Sequence, residues 1–311
     1  MALTDCQKRL IRAIANNDIK NIRKCAIACC AEDTSQKNAN FVNEVKEILL
    51  KQEKGMTELP YDLKNIVCVE DVSEKFVPSR YYLSDREKAV ANQIMRMAKT
   101  ADILKGMKIP YCNSTMLWGE SGTGKTTFAR YIAYKMKLPF CYLKFSTLVD
   151  SLMGGTSKNI SKAFSFASSV PCVFMLDELD AISLNRSAAT GGGSEAEMAR
   201  VTITIMQELD NLPNDVIVLA ATNRLDRIDG AVLRRFSVKH EVKPLKEEEK
   251  RTMIKMFLDD VQVELSNDTI ERILSDGFNQ SGIINSTINA IAEKVMNELG
   301  TEEEQSNETA D

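Results

Sequence analysis

The spacing of apolar residues changes character twice along this chain, and the changes divide it. Near the start, Leu10, Ile11 and Ile14, then Ile19, Ile22, Ala26 and Cys29, recur at helical intervals, with Asn16-Asn17-Asp18 as the turn between them. A third helix is expected from Asn40 to Gln52, which completes an N-terminal helical bundle over 1–55. Residues 56–80 contain Pro60 and Pro78 and read as a linker with one short strand at Ile66–Val69. A helix follows over Asp85–Met107. The pattern then turns to short unbroken apolar runs: Met116-Leu117-Trp118, Val173 to Leu176, and Val216 to Ala221. Runs of this length read as strands covered on both faces. They alternate with helical stretches, so an α/β unit with a parallel sheet flanked by helices is expected over 81–243. Beyond Val242 the helical spacing returns over 244–299, and the acidic, polar residues 300–311 are expected to form a disordered tail.

Candidate chemistry lies where the strands end. After Trp118 comes GESGTGKTT, with Gly119, Gly124, Lys125 and Thr126 in the fixed places of a phosphate-binding loop. The glycines let backbone N–H groups turn inward around an anion, so Gly119, Glu120, Ser121, Gly122, Thr123 and Gly124 form the cradle. Lys125 reaches the outer phosphates, the Thr126 hydroxyl binds Mg²⁺, and Thr127 completes the run. A helix beginning here adds the positive end of its dipole. The second apolar run ends in Asp177 and Glu178. At the C-terminal end of a parallel strand, Asp177 is placed to hold Mg²⁺ and Glu178 to polarise a water for attack on a γ-phosphate. The third run ends in Asn223, whose amide can bond both a phosphate oxygen and that water.

GESGTGKTT, MLDELDAI and AATNRLDRIDGAVLRRF, in this order, resemble the AAA+ ATPases and specifically the core AAA family, over about residues 80–299. The resemblance implies an α/β P-loop NTPase fold with a small C-terminal helical lid. It implies ATP and Mg²⁺ as cofactors, and ATP hydrolysis coupled to remodelling of a protein or complex. Asn223 matches the family's sensor residue, and Arg234 and Arg235 match its two arginine fingers, which reach a neighbouring copy's nucleotide. The shortened LRRF form is locally similar to katanin and spastin. A self-assembled ring, by resemblance a hexamer, is therefore expected. Leu152, Met153 and Gly154 occupy the place of the pore loop, with Leu where the family carries an aromatic. The Gly/Ser-rich stretch 185–196 matches a second pore loop, and Gly277 to Ile283 matches the lid's glycine-rich motif.

Composition narrows the partners. The net charge of −4 gives no global field for nucleic acid. Residues 1–31 nevertheless carry a local excess of Lys and Arg, so a protein substrate or adaptor bound through the N-terminal module stands beside an alternative, a nucleotide-switched loader acting on DNA or RNA. There is no 18-residue apolar run and no secretory h-region, so no membrane span and a cytoplasmic location are expected. Eight cysteines without C-x₂-C spacing are expected to be buried structural thiols. The one histidine, His240, has no evident catalytic partner.

Overall fold

The computed structural model describes residues 3–15, 19–33, 35–51, 63, 66–145, 155–181, 194–276 and 279–308. The N-terminal part is helical: α1 (Asp5–Ala15), α2 (Ile19–Glu32) and α3 (Ala39–Lys51). The apolar stripe of α1 is only thinly covered. Ala13 is buried, whereas Ile11 and Ile14 stay about half exposed, at 50% and 57%. The thiols here also depart from expectation. Cys6, Cys25, Cys29 and Cys30 are part-exposed, and only Cys141 and Cys172 are buried. The Cys6 thiol donates to Glu32 Oε1 at 2.9 Å. That bond to a carboxylate is the main reason its pKa is pushed up to about 11.

Six strands among the described residues form one sheet: β1 (Val67–Glu70), β2 (Asn113–Trp118), β3 (Phe140–Lys144), β4 (Val173–Asp177), β5 (Ile217–Thr222) and β6 (Val238–Glu241). Their order is β1-β3-β4-β5-β2-β6, and every pairing is parallel except β1 with β3. Parallel pairing requires crossover helices, and these cover both faces. Along β4 the faces alternate residue by residue. Phe174 and Leu176 join Ile160 and Phe164 of α7 (Thr156–Ser169) and Val201 and Ile205 of α8 (Ser194–Asn211). Val173 and Met175 join Ile94 of α5 (Asp85–Gly106) and Phe128 and Ile132 of α6 (Lys125–Met136). This is why the apolar run reads as continuous although a strand has period two. Burying a side chain such as Phe174 stabilises the fold by about 1.5–3 kcal/mol.

After β1 comes a short helix, α4 (Val72–Lys75), and the next helix, α5, starts on a reciprocal cap. Ser84 N–H donates to Glu87 Oε2 at 2.8 Å, and Glu87 N–H donates to Ser84 Oγ at 3.3 Å. Burial raises the pKa of Glu87. After the sheet, α9 (Gly230–Leu233) precedes β6, and α10 (Glu247–Val261), α11 (Asn267–Asp276) and α12 (Gln280–Glu308) follow it. These last three share their own core of Met253, Ile254, Leu258, Ile273, Leu274 and Ile283. Tyr82 packs against that core, and Arg80 lies 4.9 Å over the Phe257 ring, so the segment before α5 joins the C-terminal helices to the sheet. Helix α12 continues to Glu308. The helix thus extends through residues that composition assigned to a disordered tail, and glutamates with good helix propensity suit the extension.

His240 sits on edge strand β6 with Nε2 buried and without a hydrogen-bond partner among the described residues. Burial is the main cause lowering its pKa from the ordinary 6.5, Arg86 adds to the effect, and Glu241 opposes it. A depressed folded value means that the neutral ring is the stabilised form. Its contribution is therefore present above the ordinary value and lost as pH falls through the folded one. Thermal unfolding should show His240→Gln losing less stability than wild type between about pH 7.5 and about pH 5.5. Equal losses would show that His240 does not contribute.

Candidate active site

The parallel arrangement brings the C-terminal ends of β2, β3, β4 and β5 to one edge of the sheet. The loop 119–124 leaves β2 there and runs into α6. Gly124 caps that helix at φ +100°, and Gly122 sits at φ +79°, conformations that residues with a Cβ rarely adopt. A Cβ on Gly122 would also overlap the Asn279 amide, which reaches it from just before α12. The Thr123 hydroxyl donates to Glu120 O at 2.9 Å and ties the loop to itself. Glu120 and Ser121 are exposed on the loop, and Thr126 and Thr127 lie in the first turn of α6. The first-turn N–H groups and the helix dipole thus face the open side of the loop.

Lys125 is 8% exposed, and its ammonium donates to Gly119 O at 2.8 Å, Glu120 O at 2.7 Å and Asn223 Oδ1 at 2.8 Å. Burial lowers its pKa, against the raising influence of Asp177 and Asp180. Asn223 follows β5 directly. Its loop is anchored by the buried Thr222 hydroxyl, which donates to Asp180 Oδ1 at 2.9 Å and accepts from Arg224 N–H at 3.0 Å. Residues from two separate motifs, the glycine-rich loop and the Asn223 segment, therefore meet at one ammonium group.

The Thr126 hydroxyl donates to Asp177 Oδ2 at 2.8 Å. A hydroxyl and a carboxylate at this separation are hard oxygen donors. They suit Mg²⁺, which takes one or two protein ligands and fills its octahedron with water and phosphate oxygens. Glu178 follows at φ +54°, a left-handed conformation for a residue with a Cβ, and its N–H donates back to Asp177 Oδ1 at 2.8 Å. Its carboxylate pairs with Lys144 Nζ at 3.0 Å. The Tyr142 hydroxyl donates to Asp177 Oδ2 at 3.1 Å, and burial followed by the nearby Asp177 charge raises its pKa, keeping it a donor.

The arginines sit apart from this cluster. Arg234 is exposed at the end of α9, and Arg235 forms a two-point pair with Asp210, Nε to Oδ1 at 3.1 Å and Nη2 to Oδ2 at 2.9 Å. The Arg235 backbone is held by the Ser114 hydroxyl at 2.7 Å. Leu152, Met153 and Gly154 lie outside the described residues, as do Gly277 and Phe278 and most of 185–196. Sequence reasoning missed Tyr142, Lys144, Asp210 and Gln280. Tyr142 and Lys144 carried a usable signal, since two polar residues spaced by two on a buried strand share one face. Gln280 lay inside the Gly277 to Ile283 segment matched to the lid motif but was given no role of its own, because its place beside the loop depends on how α12 packs. Its amide donates to Tyr82 O at 3.3 Å and Thr123 O at 3.5 Å.

A family model described as "ATPase family associated with various cellular activities (AAA)" matches residues 115–244. The ATP-dependent zinc metalloprotease FtsH of Heterosigma akashiwo is 30% identical over 213 residues, covering 67% of this chain and 29% of that protein. The 26S proteasome regulatory subunit 6A of Saccharomyces cerevisiae is 32% identical over 205 residues, covering 63% of this chain and 46% of that one. The AAA family ATPase y4kL of Sinorhizobium fredii is 26% identical, covering 76% of this chain and 72% of its own length. The chain thus spans less than half of the FtsH and proteasome relatives. A crystal structure of the FIGL-1 AAA domain in complex with ADP shares the fold, with a TM-score of 0.55 at 24% identity, covering 74% of this chain and 78% of that one.

The contact at Gly122 gives a direct check on this geometry. Gly122→Ala should destabilise the fold by about 1–3 kcal/mol through its left-handed backbone, as measured by denaturant unfolding. Removing the overlapping amide with Asn279→Ala should return part of that loss. A Gly122→Ala variant of wild-type stability would contradict the left-handed loop backbone, and no recovery with Asn279→Ala would contradict the packing of Asn279 against the loop.

Proposed function

We propose, from the premise that this chain belongs to the AAA family of ATPases, that it hydrolyses ATP with Mg²⁺ at a seam between two copies in a ring. The ring uses the energy to remodel a protein or protein complex. The convergence of Lys125, Asn223, Thr126 and Asp177 at the strand ends carries this reading. Loop N–H groups and Lys125 bind the β- and γ-phosphates, and Asn223, which accepts from Lys125, is assigned contact with the γ-phosphate. Thr126 and Asp177 would hold the metal ion, which supplies charge neutralisation on the phosphate oxygens. Glu178 orients the attacking water and accepts its proton, which requires its carboxylate to turn away from Lys144.

Arg234 and Arg235 act on the neighbouring copy's γ-phosphate, where a guanidinium fork can bind two oxygens and spread the charge that develops on them. Their separation from Lys125 in the fold, with Arg235 occupied by Asp210, supports a role away from the chain's own nucleotide. Leu152 and Met153 are assigned the gripping of an extended polypeptide by apolar contact. The N-terminal helices are assigned substrate selection, an analogy with AAA proteins that carry such modules. No described helix is long and apolar enough to cross a membrane.

Glu178→Gln should retain ATP binding while turnover falls by about 10² to 10⁴, the contribution of a positioned base. Calorimetry and phosphate release measure the two separately, and normal turnover would refute the assignment of Glu178. Mixing is the test of the seam. Arg235→Ala and Lys125→Ala proteins, each poorly active alone, should recover part of the wild-type rate together, because one supplies an intact cradle and the other an intact finger. Failure to recover in rings shown to contain both would place the arginines outside the reaction.

A further inference from the structure

We infer that Tyr142 is a positioning residue for the metal ion, fixing the carboxylate of Asp177 in the orientation that receives it. The inference rests on the nucleotide–metal reading above and adds a residue that the phosphate-loop, Asp-Glu and Asn segments do not contain. Asp177 ends β4, and its two oxygens are not equivalent. Oδ1 accepts the Glu178 N–H, while Oδ2 accepts both the Thr126 hydroxyl at 2.8 Å and the Tyr142 hydroxyl at 3.1 Å. A carboxylate offers about four lone-pair sites, so these three bonds leave about one direction open. Without such partners the terminal torsion of an aspartate is broad and roughly two-fold.

The three donors differ in what they can do once a cation arrives. The Thr126 hydroxyl is itself a ligand, so its oxygen must serve the metal. The Glu178 N–H belongs to a strained backbone turn at φ +54°. Tyr142 alone among them is neither a ligand nor part of the turn. Its ring is fixed beforehand by packing, lying 6.0 Å from the Phe140 ring and against the core on the α6 face of the sheet. It comes from a different strand, so β3 braces a carboxylate that β4 presents. Partners that hydrogen-bond a ligating carboxylate typically set metal affinity by 10–100-fold. Lys144, two residues along the same strand, holds Glu178, so one face of β3 touches both acids.

The test uses the full chain, Mn²⁺ as the metal probe and a non-hydrolysable ATP analogue. Electron paramagnetic resonance counts free Mn²⁺ while the protein is saturated with analogue. Tyr142→Phe should weaken Mn²⁺ binding by about 10–100-fold and leave analogue binding in EDTA at the wild-type value. Placing 3-fluorotyrosine at position 142, which keeps both ring and donor, should preserve wild-type affinity. Mn²⁺ affinity in Tyr142→Phe within about threefold of wild type would overturn the inference, since the loss would fall below the range expected for such partners. Equal loss of analogue binding in EDTA would also overturn it, because Tyr142 would then support the fold and not the metal. Should wild type take up no Mn²⁺ with the analogue, the nucleotide–metal reading itself fails, an outcome distinct from failure of Tyr142 alone.

Discussion

A nearly buried ammonium organises the site. Lys125 is held charged in a place where burial disfavours charge, and three oxygens gathered around it make that tolerable. An unpaired buried ammonium would cost several kcal/mol, so Gly119, Glu120 and Asn223 cannot be arranged freely. Two of these acceptors are backbone carbonyls of the loop and the third is a side chain from another strand. The loop, α6 and the end of β5 are thereby fixed relative to one another by one group. The same demand makes the position suited to anions, because a triphosphate offers oxygens that carry full charge where carbonyls offer only partial charge.

The carboxylates pose the opposite problem. Asp177 and Glu178 are adjacent in sequence, and the left-handed backbone at Glu178 sends the two side chains to different partners. Strain of this kind persists only where surrounding structure over-determines it. Here the determinants are visible. The Glu178 N–H is bound to Asp177 Oδ1, the Leu179 N–H donates to Ala221 O at 3.0 Å, and Lys144 pairs with the Glu178 carboxylate. The turn thus sends two adjacent acids to different partners, a separation that the proposed metal-holding role of Asp177 and water-orienting role of Glu178 would require.

Much of this was legible in the chain, and the limits have physical causes. The sheet strands showed as apolar runs because helices cover both faces, and Gly119, Lys125, Asp177 and Asn223 drew notice as fixed residue types where such runs end, and they lie at strand ends in the fold. Tyr142 and Lys144 signalled a shared strand face, but a tyrosine or lysine on a strand has many uses, and it is the register Lys144 opposite Asp177 that ties this face to the acids. The edge strand β1 was seen, but not that it runs antiparallel to β3, because direction is a property of the connection and not of the run. The exposure of Ile11 and Ile14 was equally hidden. Helical spacing marks a face but does not supply something to cover it.

The C-terminal helices reach this chemistry through few polar bonds. They have a core separate from the two that sandwich the sheet, and α12 meets the phosphate-binding loop at Asn279 and Gln280. The bonds from Gln280 to Tyr82 and Thr123 are long, and among the described residues its buried carbonyl oxygen has no partner, nor does the nearby Tyr81 hydroxyl. An unsatisfied buried polar group costs about 1–3 kcal/mol. Two such groups offset much of what the bonds around them contribute. Closure of these helices on the loop is therefore maintained chiefly by shape, through the absence of a Cβ at Gly122 and by Tyr82 seated in the helical core. Tilting the helices away would break two weak bonds and rehydrate two unpartnered atoms, whereas distorting the sheet would disrupt buried Phe, Leu and Val side chains. Displacing the C-terminal helices from the loop would therefore cost less than distorting the strand ends, where the Lys125 and Asp177 contacts lie.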